Sequence, residues 1–194
     1  MKNILTISLL LLAFCATSFA HNTEPTHGGE VDLAASTITW SAKKITATHT
    51  GGVTLKSGSL DFKNHSLTGG EFVMDMTTIT CTDLDGEWGG KLIGHLNSAD
   101  FFETDKYPTS KLVIKEISKS TEGNAYAINA ELTIKGITKP VGFTADVSAK
   151  SATALITIDR TAYDIKYGSG SFFENLGDKA IENEFQLSIN LVLK

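Results

Sequence analysis

Apolar and polar residues alternate with a period of two along most of this chain, the pattern of strands that bury one face. Ile38 and Trp40 share a face against Thr37 and Thr39. Val53 and Leu55 alternate with Thr54 and Lys56, and the run continues past Gly58 to Leu60 and Phe62. After a turn at Asn64-His65, Phe72, Met74 and Met76 alternate with Val73, Asp75 and Thr77. Leu112 and Ile114 do the same against Lys111, Val113 and Lys115. The second half repeats the pattern more cleanly. Tyr126, Ile128, Ala130, Leu132 and Ile134 form one face, followed by Val141 to Val147, by Ala154, Ile156 and Ile158, and by Phe185 to Leu191. Turn signals stand at Glu122-Gly123-Asn124 and Lys150-Ser151, so the pattern predicts about eight strands.

Two stretches break the period. Between Asp83 and Thr104, Leu84, Trp88, Leu92 and Leu96 fall at helical spacing, and Ser98 is placed to cap a second short turn from Ala99. One or two short helices are expected there, between the third and fourth strands. Gly168 to Lys179, with Gly168-Ser169-Gly170 and Phe172-Phe173, reads as a loop before the last strand. Long strands leave hazardous edges unless the sheet closes on itself. Closure of about eight strands encloses room for one small ligand. The expected architecture is all-β: an extended eight-stranded antiparallel barrel. A sandwich with a filled core needs the same alternation and stands beside it.

The N-terminus adds a destination. Lys2 precedes the apolar run Ile4 to Phe14, and Ser18-Phe19-Ala20 supplies small residues for a peptidase. Residues 1–20 are therefore expected to be a cleaved signal peptide, 21–30 a flexible arm and 31–194 one domain, located in the periplasm or secreted. Lipidation at Cys15 is the minor alternative, since the bulky Phe14 precedes it. The run is shorter than the roughly 20 residues that span a bilayer, and no later segment is apolar enough, so stable membrane insertion is not expected. The chain has 17 basic and 22 acidic residues; loss of Lys2 leaves 16 against 22, a net of −6. That balance disfavours nucleic acid as a partner. Cys81 would be left alone and reads as a small buried apolar residue, with a reactive thiol or an intermolecular disulfide as the other reading.

Signals of catalysis are missing from the sequence. There is no G-x-S-x-G elbow, and Gly168-Ser169-Gly170 lacks the Lys-Ser/Thr of a phosphate loop. Asp83 with Asp85, and Asp100 with Glu103, read as solvated loop carboxylates. The five histidines have no H-x-x-x-H spacing, so no zinc site is expected. Cleavage after Ala20 would leave His21 as a terminal copper chelator with His27 nearby, although a flexible arm is the plainer reading. His49 and His95 are expected to make structural hydrogen bonds to neighbouring loops.

Several motifs resemble those of one family. They are Trp40 to Lys44 with His49-Thr50-Gly51-Gly52; Leu67 to Phe72 leading into Asp75-Met76; Lys91 to Phe102 with Lys106-Tyr107-Pro108; Leu132 to Val141; and Asp159-Arg160-Thr161 with Ile165 to Gly170. Together they resemble the YceI-like family of exported bacterial proteins, from about Val31 to the C-terminus. The resemblance implies a lipocalin-like eight-stranded barrel whose elongated apolar tunnel takes polyisoprenoid or other long amphiphilic chains. It implies no catalytic motif and no cofactor beyond such a bound lipid.

From the residues alone, buried aliphatics most often serve packing. The resemblance turns Trp40, Phe72, Met74, Met76, Ile128, Leu132, Phe143, Ile156 and Ile158 into expected tunnel lining, joined by Leu92 and Phe172 from the two irregular segments, which are the natural lids. Arg160 continues the parity of Ile156 and Ile158 and points inward, unless a bulge at Asp159 turns it out. An inward Arg needs a partner. A structural pair with a carboxylate such as Asp100 is preferred over a ligand head group. The expected function is a periplasmic carrier of a polyisoprenoid, isoprenoid quinone or fatty acyl lipid, with a homodimer left open. The alternative is a non-enzymatic stress-response or interaction module with a filled core. Intact-mass measurement of protein recovered from the periplasm should give a chain starting at His21; a retained leader would refute the cleavage reading.

Overall fold

The structure, a computed structural model, describes residues 27–121 and 123–194. The expected signal peptide, His21 and the arm up to residue 26 lie outside the described residues. Among these residues ten strands form: β1 (His27–Glu30), β2 (Thr37–Lys44), β3 (Ala47–Gly52), β4 (Thr54–Lys63), β5 (Ser66–Asp75), β6 (Thr109–Lys119), β7 (Ala125–Ile134), β8 (Ile137–Val147), β9 (Ser151–Asp159) and β10 (Ile181–Val192). One α-helix, α1 (Gly86–Asn97), joins β5 to β6. All strands belong to one curled antiparallel sheet, ordered β1-β4-β5-β6-β7-β8-β9-β10-β2-β3.

Ten strands replace the expected eight, and the helix follows the fifth strand rather than the third. The eight expected strands are β2 and β4 to β10, those with an apolar face to bury. The two additional ones are the outermost strands of the sheet. β1, which falls within the expected arm, carries Gly28-Gly29. A Cβ at Gly29 would stand 3.0 Å from the Phe62 ring, so the glycine lets the strand lie close on β4. β3 reads Ala-Thr-His-Thr-Gly-Gly and has no apolar alternation at all. Such strands form through backbone pairing, which periodicity does not report.

Each interior strand follows its pattern. On β7, Tyr126, Ile128, Ala130, Leu132 and Ile134 are all buried and the residues between them face out. β7 and β8 pair from Ala125↔Asp146 to Ile134↔Ile137. Lys135 and Gly136 close this hairpin with φ of 50° and 74°, the left-handed geometry that matches strand twist in a two-residue turn. β8 then meets β9 only from Ala145 to Val147. Beyond that the two strands diverge, and Pro140 lies in the stretch without a β9 partner, where one ladder donor fewer is tolerated.

The sheet's two ends are tied back by side connections. At one end the Lys194 N–H donates to the Glu30 carbonyl at 2.9 Å and Val31 bridges Leu193. At the other, residues 76–82 cross β3. The N–H groups of Thr80 and Thr82 donate to the carbonyls of Gly52 and Thr50, at 2.9 and 2.8 Å. Gly51 permits this approach, because a Cβ there would sit 1.8 Å from the Thr80 carbonyl oxygen. That same oxygen accepts the Trp40 indole N–H at 3.1 Å.

Helix α1 is shorter than its signal. Ser98 ends it, its hydroxyl donating to the His95 carbonyl at 2.8 Å, and turns rather than a second helix follow. Trp88 is 70 % exposed instead of sharing the inner face, and stacks under Lys91 at 4.8 Å. With twelve residues, α1 is not long and apolar enough to cross a membrane. Cys81 is half-buried rather than fully buried.

Asp83 fastens the crossing segment to β3. It accepts from the Thr50 N–H at 2.7 Å and pairs with His49 at 2.8 Å, and the Cys81 thiol donates to it at 3.4 Å. Burial raises its pKa, but these hydrogen bonds outweigh burial and hold it below the ordinary 3.8. A depressed carboxylate contributes stability above its unfolded pKa and loses it as pH falls through the folded one. Asp83→Ala should therefore cost about 1–2 kcal/mol near neutrality. Urea unfolding should show the gap to wild type closing as pH drops below 3.8. A gap independent of pH would refute the ionic part of the latch.

Candidate ligand-binding interior

The inward faces of β2 and β4 to β10 meet around an interior with two cavities, of about 100 and about 60 Å³. The larger lies at the α1 end, where Leu96, Phe101 and Phe102 join Trp40, Leu132 and Phe185 around it. The smaller is walled by residues such as Ile38, Leu60, Ile114 and Leu191, and no polar side chain reaches it. Met74 lines both and stands between them. An apolar cavity of about 150 Å³ stays dry and takes up a benzene-sized molecule; each space here is smaller, with room for a few methylene groups unless side chains move. Met is unbranched and adaptable, so its movement would join the two with little strain.

The structure brings most of the expected residues to this interior. Trp40, Met76, Leu132, Ile158 and Arg160 border the larger cavity; Phe72, Ile128, Phe143 and Ile156 border the smaller. Two do not reach it. Leu92 is half-buried against the core one turn away from Leu96, which takes the inner position. Phe172 is 49 % exposed and lies under the Lys166 ammonium at 5.2 Å. The turn from Ser169 sends it outward, both Phe172 and Phe173 donating their N–H groups to the Ser169 carbonyl.

Sequence reasoning overlooked other lining residues. Ser110 shares the inward parity of Leu112 and Ile114, so its strand could have placed it; its hydroxyl donates to the Met76 sulfur at 3.2 Å. Ile165 is fully buried in an irregular turn, and no periodic signal marked it. Phe101 packs edge-on against His95 at 4.9 Å, and His95 against Tyr167 at 4.4 Å. This stack joins α1 to the loop that follows β9.

Arg160 is inward, but not in the expected pair. It opens a 3-10 turn (Arg160–Tyr163) and is 4 % exposed. Its Nε donates to the Glu182 carbonyl at 3.0 Å, Nη1 to the carbonyls of Ile165 and Tyr167 at 2.9 Å each, and Nη2 to Ile181 at 3.1 Å. Asp100 instead faces His95 at 3.5 Å. Burial lowers the Arg160 pKa from its usual value, against a smaller opposing pull from Asp159. Guanidinium remains protonated even so. Tyr163, buried beside it in the chain, has its phenol pushed up by the same desolvation. His49 and His95 both make the contacts to loop residues described above. Among the described residues, no three His, Cys, Asp or Glu side chains gather to hold a metal.

A profile for the YceI-like domain matches residues 30–193. A UPF0312 protein of Photorhabdus laumondii is 33% identical over 99 residues, 49% of this chain and 50% of that one. A UPF0312 protein of Pseudomonas putida is 43% identical over 51 residues, 26% of each. These matches thus span half or less of the curated relatives. Among solved structures, BcnA of Burkholderia cenocepacia superposes with a TM-score of 0.67 at 21% identity, covering 84% of this chain and 99% of that one. A polyisoprenoid binding domain of Saccharophagus degradans gives 0.58 at 14%, covering 88% and 99%. A Campylobacter jejuni YceI protein gives 0.51 at 14%, covering 100% and 94%.

Arg160→Leu should be costly, because it strands four carbonyls around an apolar side chain. Charge-assisted bonds of this sort are individually worth about 1.5–3 kcal/mol, and a loss of at least about 3 kcal/mol is expected. Thermal or urea unfolding reads it. An unchanged melting temperature would refute the structural role.

Proposed function

The chain belongs to the YceI-like family, and from that we propose that it is an exported, non-enzymatic carrier that holds a long apolar or amphiphilic molecule inside the curled sheet. The observation that carries this reading is the interior itself. Eight strands turn apolar faces onto one space, and two cavities meet at a single flexible side chain, Met74. Fold likeness to a domain described as polyisoprenoid binding supports the same ligand class. The sheet then acts as a lipocalin-like barrel, and the residues bordering the cavities are its ligand contacts.

The energetics suit such cargo. Each buried methylene contributes about 0.8 kcal/mol, so ten would give about 8 kcal/mol before the costs of ordering the chain. No hydrogen bond is required. Apolar walls of this kind select poorly among chains of similar length, so a polyisoprenoid, an isoprenoid quinone and a fatty acyl lipid all fit the reading. The second reading, an interaction module with a filled interior, draws on the modest cavity volumes of about 100 and 60 Å³.

Purified mature protein, extracted with organic solvent and analysed by mass spectrometry, should yield a co-purifying lipid. Delipidated protein should take up added polyprenol or fatty acid. Repeated failure of both would leave the filled-interior reading.

A further inference from the structure

The interior is chemically lopsided. At one end the smaller cavity meets only apolar side chains. At the other, the larger cavity is also walled mainly by apolar side chains, but a fully charged group, Arg160, and the Ser110 hydroxyl border it; the Glu182 side chain faces out. Arg160 is 4 % exposed, so bulk water does not solvate it. Among the described residues it makes no ion pair. Its partners are four backbone carbonyls, which carry only partial negative charge. The Phe101 ring lies 5.9 Å away and adds a weak cation–π contact. Asp159 accepts instead from the N–H and hydroxyl of Thr161.

Five N–H groups radiate from a guanidinium. Four have the acceptors named above, and the second hydrogen of Nη2 has no protein acceptor among the described residues. A buried positive charge with no ion pair, and only a minor pull from Asp159 to offset its burial, is a costly arrangement in a protein interior. A group that binds there with a negative oxygen would complete both the charge and the fifth hydrogen bond, and in a low-dielectric setting such a bond is strong.

We propose that Arg160 is the head-group site of this interior, and that the carried molecule is a single-chain amphiphile with an anionic oxygen head, its head at Arg160 and its tail running past Met74 into the dry cavity. The inference rests on the carrier reading and adds polarity and orientation to it. Arg160 then has two tasks at once. Its carbonyl bonds fix it in place, so the site is preorganised and loses little freedom on binding.

The test uses the full mature chain, delipidated, with hexadecanoic acid, hexadecanol and hexadecylamine as probes. Trp88→Phe removes the exposed indole on α1 and leaves Trp40, which borders the larger cavity, as the reporter. Hexadecanoate should bind at least tenfold more tightly than hexadecanol, and hexadecylamine most weakly. Heavy-atom quenching gives the orientation: 2-bromohexadecanoate should quench Trp40 more than 16-bromohexadecanoate. Equal affinities, a preference for the amine, or stronger quenching by the 16-bromo probe would overturn the head-group site while leaving the carrier reading intact. Failure of all three probes in protein that still takes up added polyprenol would overturn the head-group site alone, and failure of polyprenol as well would overturn both.

Discussion

A sheet with one apolar face must find something to cover that face, and here it has little except itself. The one α-helix among the described residues, Gly86–Asn97, is about 18 Å long by its rise per residue and can shield only one end. The remaining faces of eight strands can leave water only by turning towards one another. Curling follows from that constraint. So does the divergence of β8 from β9 beyond Ala145, since a strongly coiled sheet cannot keep every neighbouring pair in register. The tight crossing at Gly51 follows as well, because the sheet's last strand has to be overlaid for the fold to be sealed.

The α1 end is built differently. Strand periodicity stops at Asp159, and the chain turns through Arg160–Tyr163 and a long irregular loop before β10 begins at Ile181. Carbonyls in that loop have no ladder to join. Arg160 gathers them, taking Ile165 and Tyr167 from the loop and Ile181 and Glu182 from the start of β10. One cation thus substitutes for a missing strand neighbour, and the aromatic stack of Phe101, His95 and Tyr167 braces the same region against α1.

What the sequence disclosed divides along the same line. Residues whose position is set by hydrophobic burial were legible: the eight periodic strands and the interior faces of β7 and β9 emerge directly from alternation. Features set by backbone hydrogen bonding were not. β1 and β3 carry no alternating signal, and the carbonyl partners of Arg160 belong to residues that no side-chain pattern identifies. Helical spacing placed Trp88 beside Leu92 and Leu96, yet Trp88 faces solvent, because period alone does not say which part of a stripe the neighbouring surface covers. Phe172 has an equally apolar side chain and an outward turn beneath it. Curl and family were legible through motifs such as Leu132 to Val141, which the structure resolves into the β7–β8 hairpin.

The strand order also carries a consequence for how the chain reaches this state. From β4 to β10 each strand pairs with the next in sequence, a meander that can assemble hairpin by hairpin. β1 and β2 are exceptions. β2 pairs with β10, across almost the whole described chain, and β1 pairs with β4 over the intervening hairpin. Loop-closure entropy makes such distant pairings slow. The seven-stranded meander is thus expected to form ahead of its N-terminal strands, leaving the margins of β4 and β10 exposed until they arrive. Pulse-labelled hydrogen exchange would see that order as late protection in β2. In a chain still folding, those two bare margins are the open strand edges on which a second copy could pair.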